Sequence, residues 1–137
     1  MKPILLLLFL AVLVGCKEKY LAPEDIQPLV GTWRLEAEER GEDVKRWEPV
    51  AQNNSYSFTV RYDGVILAAN GFQVCCAPKY LKMNQKLFAI EPKEKLPFNP
   101  ECIAVSCLAC DTWDMDLQGD TLIVNYCGSV RSRFVRM

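Results

Sequence analysis

The chain has 137 residues, seven cysteines, no histidine and a formal net charge of -1; half of its residues are hydrophobic and 24% are charged. That is the balance of one globular domain rather than a disordered segment, and it leaves no electrostatic footprint for nucleic acid. The missing imidazole excludes Ser-His and Cys-His catalytic pairs, histidine metal ligands and a histidine pH switch.

In chain order, Lys2 gives a positive start and Ile4 to Val14 form an unbroken apolar run. The run has the length of a signal-peptide core and falls short of the ~18–20 residues of a membrane-spanning helix. It ends in Leu13-Val14-Gly15-Cys16. This resembles the bacterial lipobox, a leucine and two small or aliphatic residues before a cysteine. The resemblance implies that residues 1–15 are a cleaved lipoprotein signal peptide. Cys16 would then carry a diacylglyceryl group, and its new amino group would be acylated, with palmitate the chain expected. Each buried methylene contributes ~0.8 kcal/mol, so two or three chains hold the protein to a membrane almost permanently. Lys17 stands where an aspartate would retain a lipoprotein in the inner membrane, so export to the outer membrane is expected. Residues 16–29 are rich in charge and proline without apolar periodicity and read as a tether.

Residues 30–137 read as one β domain. Val30 to Ala37 alternates, with Trp33, Leu35 and Ala37 on one face. Glu38 to Glu48 is dominated by charge and reads as a solvated loop. Ser55 to Tyr62 alternates again, with Tyr56, Phe58, Val60 and Tyr62 together, and Asp63-Gly64 suits a tight hairpin turn. Val65 to Ala69 returns and Asn70-Gly71 closes it. Phe72 to Val74 and Lys79 to Met83 are weaker strand candidates, and Asn84-Gln85 precedes a stronger one at Leu87 to Ile90. Pro92, Pro97 and Pro100 make a loop, since proline lacks the amide a ladder needs. Asp111 to Gln118 alternates, Gly119-Asp120 turns, and Leu122, Val124 and Tyr126 point inward on the next strand. Cys127-Gly128 turns once more before Val130 to Val135. The expected fold is all-β, an antiparallel up-and-down barrel or flattened barrel of 7–8 strands.

Gly31-Thr32-Trp33 at the start of the first strand resembles the Gly-x-Trp signature of lipocalins. The wider layout is similar to that of small bacterial lipocalin-like lipoproteins, through Asp63-Gly64, Gly119-Asp120-Thr121-Leu122 and Arg133-Phe134-Val135-Arg136. The resemblance implies that Trp33 closes one end of the barrel beneath an arginine from near the chain's end. Arg131, Arg133 and Arg136 are candidates, and Arg133 is taken as the partner of Gly31 and Trp33. A cation over an indole face contributes about 0.5–2 kcal/mol. The folded part is shorter than a typical lipocalin, so side chains can fill its interior. It also carries more cysteines than that family needs.

Six cysteines remain beside Cys16, namely Cys75, Cys76, Cys102, Cys107, Cys110 and Cys127. An even number in a small exported domain reads as a disulfide framework, with the pairing left open. Adjacent Cys75 and Cys76 point to opposite faces if that stretch is extended, and would then bridge to different partners. Cys107-Leu108-Ala109-Cys110 also has the spacing of a redox pair or half a zinc site, without the helical setting or the histidines either favours. Asp114 to Gly119 begins like a calcium loop but lacks its later ligands, so a hairpin is expected there. Arg131 and Arg133 share an outer face. No metal site, cofactor or catalytic group is expected. The expected function is non-enzymatic binding of a small apolar ligand, with Tyr56, Phe58, Val60, Trp113, Met115, Leu122 and Val124 lining the pocket beside Trp33 and Leu35. If those rows fill a core instead, the alternative is an envelope protein-interaction or inhibitor module acting through the Cys102–Cys110 loop.

Overall fold

The alternating segments become strands in the computed structural model, which describes residues 20–108, 110–128 and 130–137. The signal run, Cys16 and the first residues of the tether lie outside the described residues. After a 3-10 helix over Pro23–Leu29 come β1 (Gly31–Arg40), β2 (Arg46–Pro49), β3 (Ser57–Val60) and β4 (Ile66–Ala68). β5 (Tyr80–Met83), β6 (Lys86–Ala89), β7 (Thr112–Gln118), β8 (Thr121–Tyr126) and β9 (Arg131–Arg136) follow, with a short 3-10 turn over Pro100–Ala104 before β7. One sheet curls into a half-barrel in the order β4-β3-β1-β9-β8-β7-β5-β6, and β2 also pairs with β1.

Strand β1 organises the sheet. β3 pairs with Gly31 to Arg34 and β2 with Ala37 to Arg40, on successive halves of one edge, while β9 takes the other edge. The charged stretch from Glu38 to Glu48, expected as a loop, is therefore mostly a hairpin. Two ion pairs tie β1 to β9 across the sheet. Arg131 Nη2 donates to Glu39 Oε1 at 2.6 Å and Arg133 Nε to Glu36 Oε2 at 2.8 Å. Both guanidinium groups also lie over the Trp47 ring, at 5.5 and 5.2 Å.

The sheet departs from a simple meander at one place. β7 runs parallel to β5, with Tyr80 opposite Thr112. The long proline-containing connection carries the chain back past β6, and a parallel pair requires such a crossover. The edges are covered rather than joined. Tyr20 bridges to Leu87, and the Leu21 amide donates to the Leu87 carbonyl at 2.7 Å, along the outer edge of β6. Gln73 bridges to Leu67 along β4. Both contacts remove free ladder groups that would invite another chain.

Between those edges the β3–β4 turn leans onto β6. A Cβ at Gly64 would stand 2.7 Å from Phe88 Cε1, so only glycine permits that approach. Gly64 has φ 81, but Asp63 does not adopt a positive φ. The turn is closed from the Gly64 amide to the Arg61 carbonyl at 2.9 Å, not as the expected two-residue Asp-Gly hairpin. Asn84 and Gln85 are the pair that adopts φ 49 and 65, joining Met83 and Lys86 as a two-residue hairpin requires.

The core contains Trp33, Leu35, Phe58, Val60, Leu81, Met115, Leu122, Val124 and Phe134, one buried row from each strand they occupy. Ile26 and Leu29 are also fully buried in it. The stretch expected as a tether, residues 16–29, therefore contributes two side chains to the core. Ile26 and Leu29 are three apart and share one side of a 3-10 turn, a spacing too short to register as periodicity among the charges.

The arginine that lies over Trp33 is Arg136, not the expected Arg133. Arg136 Cζ lies 4.2 Å from the Trp33 ring centroid. Its Nη1 and Nη2 donate to the Val30 and Pro28 carbonyls at 3.1 and 2.7 Å. β9 alternation explains the correction, because buried Ser132 and Phe134 put Arg136 on the inner face and Arg133 on the outer. Trp33 and Arg136 are also direct partners in the ladder. Gly31 lies against the same guanidinium. Its φ is 133, and a Cβ there would meet Arg136 Nη1 at 3.1 Å.

Candidate functional site

The interior rows divide into two groups. Val60, Met115, Leu122 and Val124, expected to line a pocket, are packed into the core, and Met115 also borders a separate, polar cleft beside Lys82 and Arg131. Tyr56, Phe58 and Trp113 do line a cleft, an open space of about 530 Å³. It sits where β3 begins, β4 ends, β7 begins and β8 ends. Its other walls are Ser57, Ala68, Ala69, Asn70, Val74, Cys75, Glu101 and Tyr126.

The rings form a box rather than a stack. Trp113 meets Tyr126 edge to face, with centroids 4.6 Å apart and planes at 89°, and meets Phe58 at 6.5 Å and 68°. Phe134 supports Phe58 from the core at 4.8 Å. The Tyr56 and Tyr126 hydroxyls are 3.4 Å apart at the mouth. Burial raises the pKa of both phenols, and the Glu38 carboxylate raises each further. Both are therefore neutral hydrogen-bonding groups at physiological pH.

Disulfides assemble the rim. Cys75 pairs with Cys102, Cys76 with Cys107 and Cys110 with Cys127, at Cα separations of 5.4, 5.3 and 5.7 Å. Cys75 and Cys76 bridge to different partners. The Cys-x-x-Cys sulfurs belong to two separate bridges, so the expected alternative of a thiol pair or zinc half-site at Cys107 and Cys110 is overturned. The Cys75–Cys102 bridge brings Glu101 to the cleft. Asn99 holds it there, because its Oδ1 accepts from the Glu101 amide at 3.1 Å and its Nδ2 donates to the Gln73 carbonyl at 2.9 Å.

No protein-family model, curated protein or solved structure matches this chain.

The calcium-like spacing resolves as the expected hairpin. Asp114 and Asp116 lie on β7, where Lys82 pairs with Asp114 at 3.2 Å and Gln118 donates to Asp116 at 2.8 Å. Among the described residues no group of three or more His, Cys, Asp or Glu side chains converges as metal ligands would. None of the helices described is long and apolar enough to cross a membrane. Several cleft residues, Tyr126 and Glu101 among them, were not expected to line it. Tyr126 shares the inward parity of Leu122 and Val124, which was the available signal. Glu101 had none, because a disulfide places it.

Proposed function

We propose that the chain is an exported lipoprotein, anchored through Cys16 to the outer membrane, whose lipocalin-like domain binds a small, largely apolar ligand without catalysing a reaction. The observation that carries this reading is the cleft of about 530 Å³ walled by Tyr56, Phe58, Trp113 and Tyr126. Clefts of ~300–1,000 Å³ with apolar walls and few polar groups suit small ligands. The ligand would lie at the mouth over a filled core, not inside a barrel. The contact of Arg136 over Trp33 beside Gly31 supports the lipocalin resemblance. The signal run and Leu13-Val14-Gly15-Cys16 support the anchor.

Native mass spectrometry of the protein purified from its own host tests this reading. The expected result is diacylglyceryl and acyl mass on Cys16, three disulfides and a small molecule released on denaturation. Ala69→Phe, which fills the cleft, should lose that molecule while retaining the fold. An empty native protein whose Trp113 indole signal is unmoved by apolar probes would overturn the ligand reading.

A second reading, an envelope interaction module, has its own support. Phe98, Ile103, Val105 and Leu108 are 69%, 77%, 45% and 89% exposed on the connection held by Cys102 and Cys107. Clustered exposed apolar groups on a tied-down loop suit a protein contact. Crosslinking in intact cells should capture an envelope protein, and Ile103→Ser with Leu108→Ser should abolish that capture without lowering stability.

A further inference from the structure

We propose that the aromatic cleft selects a ligand bearing an organic ammonium group of about the size of choline's, held against the ring faces with Glu101 as its counter-charge. The proposal rests on the ligand-binding reading above and names the ligand's chemistry.

Charge distribution supports it first. Three further clefts, of about 320, 590 and 600 Å³, offer a comparison. One is lined with Lys82 and Arg131 beside Asp114 and Asp116, another with Lys93 beside Asp63 and Glu91, and another with Lys79, so each offers an anion a cationic partner. The aromatic cleft has no basic lining residue, and its single charged one is Glu101. An anionic ligand would meet only that carboxylate and two neutral phenols.

Ring geometry supports it second. An aromatic face carries the negative lobe of the ring quadrupole, and a cation within about 6 Å of the centroid is attracted to it. Near-perpendicular rings at Trp113 and Tyr126, with the exposed Tyr56 beside them, border one small volume, and the buried Phe58 backs Trp113 from the core. Flat ligands prefer parallel faces, whereas a compact, rounded cation contacts several walls of a box. Quaternary ammonium groups suit such cages because their charge is spread over methyl groups and is weakly hydrated. The phenol hydroxyls add oxygen lone pairs at the mouth.

Position supports it third. Glu101 stands on the Pro100–Ala104 turn, fixed by Asn99 and by Cys75–Cys102. Its backbone is held at the rim, and its side chain is exposed. A rim charge attracts a cation without the desolvation that a buried carboxylate would suffer. Glu38 adds a weaker negative field, partly offset by Arg40, which bonds to it at 2.7 Å.

The test uses the full chain in detergent, choline as the probe, and choline's neutral isostere, in which carbon replaces the ammonium nitrogen. Binding is followed through the indole N–H resonance of Trp113. Choline should move that resonance, leave those of Trp33 and Trp47 in place, and bind about tenfold more tightly than the isostere. Glu101→Gln, a change at an exposed site, should weaken choline severalfold and leave the isostere unchanged. Equal affinity for both probes would overturn the ammonium proposal and leave apolar-ligand binding standing. If neither probe nor toluene moves the Trp113 signal, both the proposal and the ligand-binding reading fall.

Discussion

Asp63→Asn is the substitution that best tests how the open sheet is held together. The Asp63 side chain is fully buried where the β3–β4 turn meets the segment after β6. It accepts from Arg61 Nε at 2.8 Å, Arg61 Nη2 at 2.5 Å, the Lys93 amide at 2.9 Å and the Val65 amide at 3.3 Å. The Arg61 guanidinium above all, with those amides, holds the carboxyl well below its usual 3.8, at about 2, against the opposing effect of burial. At 1.36 kcal/mol per pH unit that difference is worth about 2 kcal/mol. Because the folded value is the lower one, the unfolded chain takes up the proton first. The stabilisation is complete above the unfolded value near 3.8 and is lost as pH falls through about 2.

Asparagine keeps the shape but turns an NH2 group toward Arg61 or the Lys93 amide, donor against donor. Urea unfolding with disulfides intact should show a loss of about 2–3 kcal/mol at pH 7. With a slope of ~1–3 kcal/mol per molar, the midpoint should fall by about 1 M. Glu94 lies 3.5 Å from Arg61 and should keep the loss from growing larger. Between pH 5 and pH 2 the wild type should lose this increment and converge on the variant. A variant within about 0.5 kcal/mol of wild type at pH 7, or parallel acid limbs, would refute the reasoning.

Arg136→Met should lower stability by about 1–3 kcal/mol, through the lost indole contact and two unpaired carbonyls, and Arg133→Met by less than about 1 kcal/mol; paired thermal melts check the order. Ile26→Ala should cost about 2–4 kcal/mol if residues before β1 belong to the core, whereas a true tether would give no change in urea midpoint. Cys76→Ser with Cys107→Ser opens a loop with ends 31 residues apart and should cost about 3–4 kcal/mol, with faster proteolysis near Ile103. The oxidised wild-type protein should give no thiol signal from these six cysteines under denaturing conditions, as three bridges require.

The strands themselves were legible because alternation is local. A residue's parity within β1, β7 or β8 follows from its neighbours alone, and Trp33, Leu35, Met115, Leu122 and Val124 are buried as that parity demands. Turn chemistry, also local, placed turns at Asn84-Gln85 and Gly119-Asp120, whereas Cys75 and Cys76 take different partners from a turn, with Cys76 at φ 57, and not from an extended strand. Parity also held the answer for Arg136, since it shares the inner face of β9 with Phe134. Composition concealed Ile26 and Leu29, whose burial depends on the sheet they plug.

Tertiary structure decided whatever joins distant segments. The parallel placement of β7 beside β5 depends on where a long connection returns, and no residue within either strand encodes that. The disulfide pairs depend on which cysteines the finished sheet brings within reach. The cleft depends on both: β3 and β7 face each other across the curl, and Cys75–Cys102 sets Glu101 at the rim. By itself the sequence determined an all-β chain, its inward rows and an even set of bridging cysteines, because each rests on short-range spacing. Whether those rows enclose space was decided by volume. The side chains of β1, β8 and β9 fill the half-barrel, and room is left only at the mouth, where the aromatic rings of Tyr56, Trp113 and Tyr126 meet.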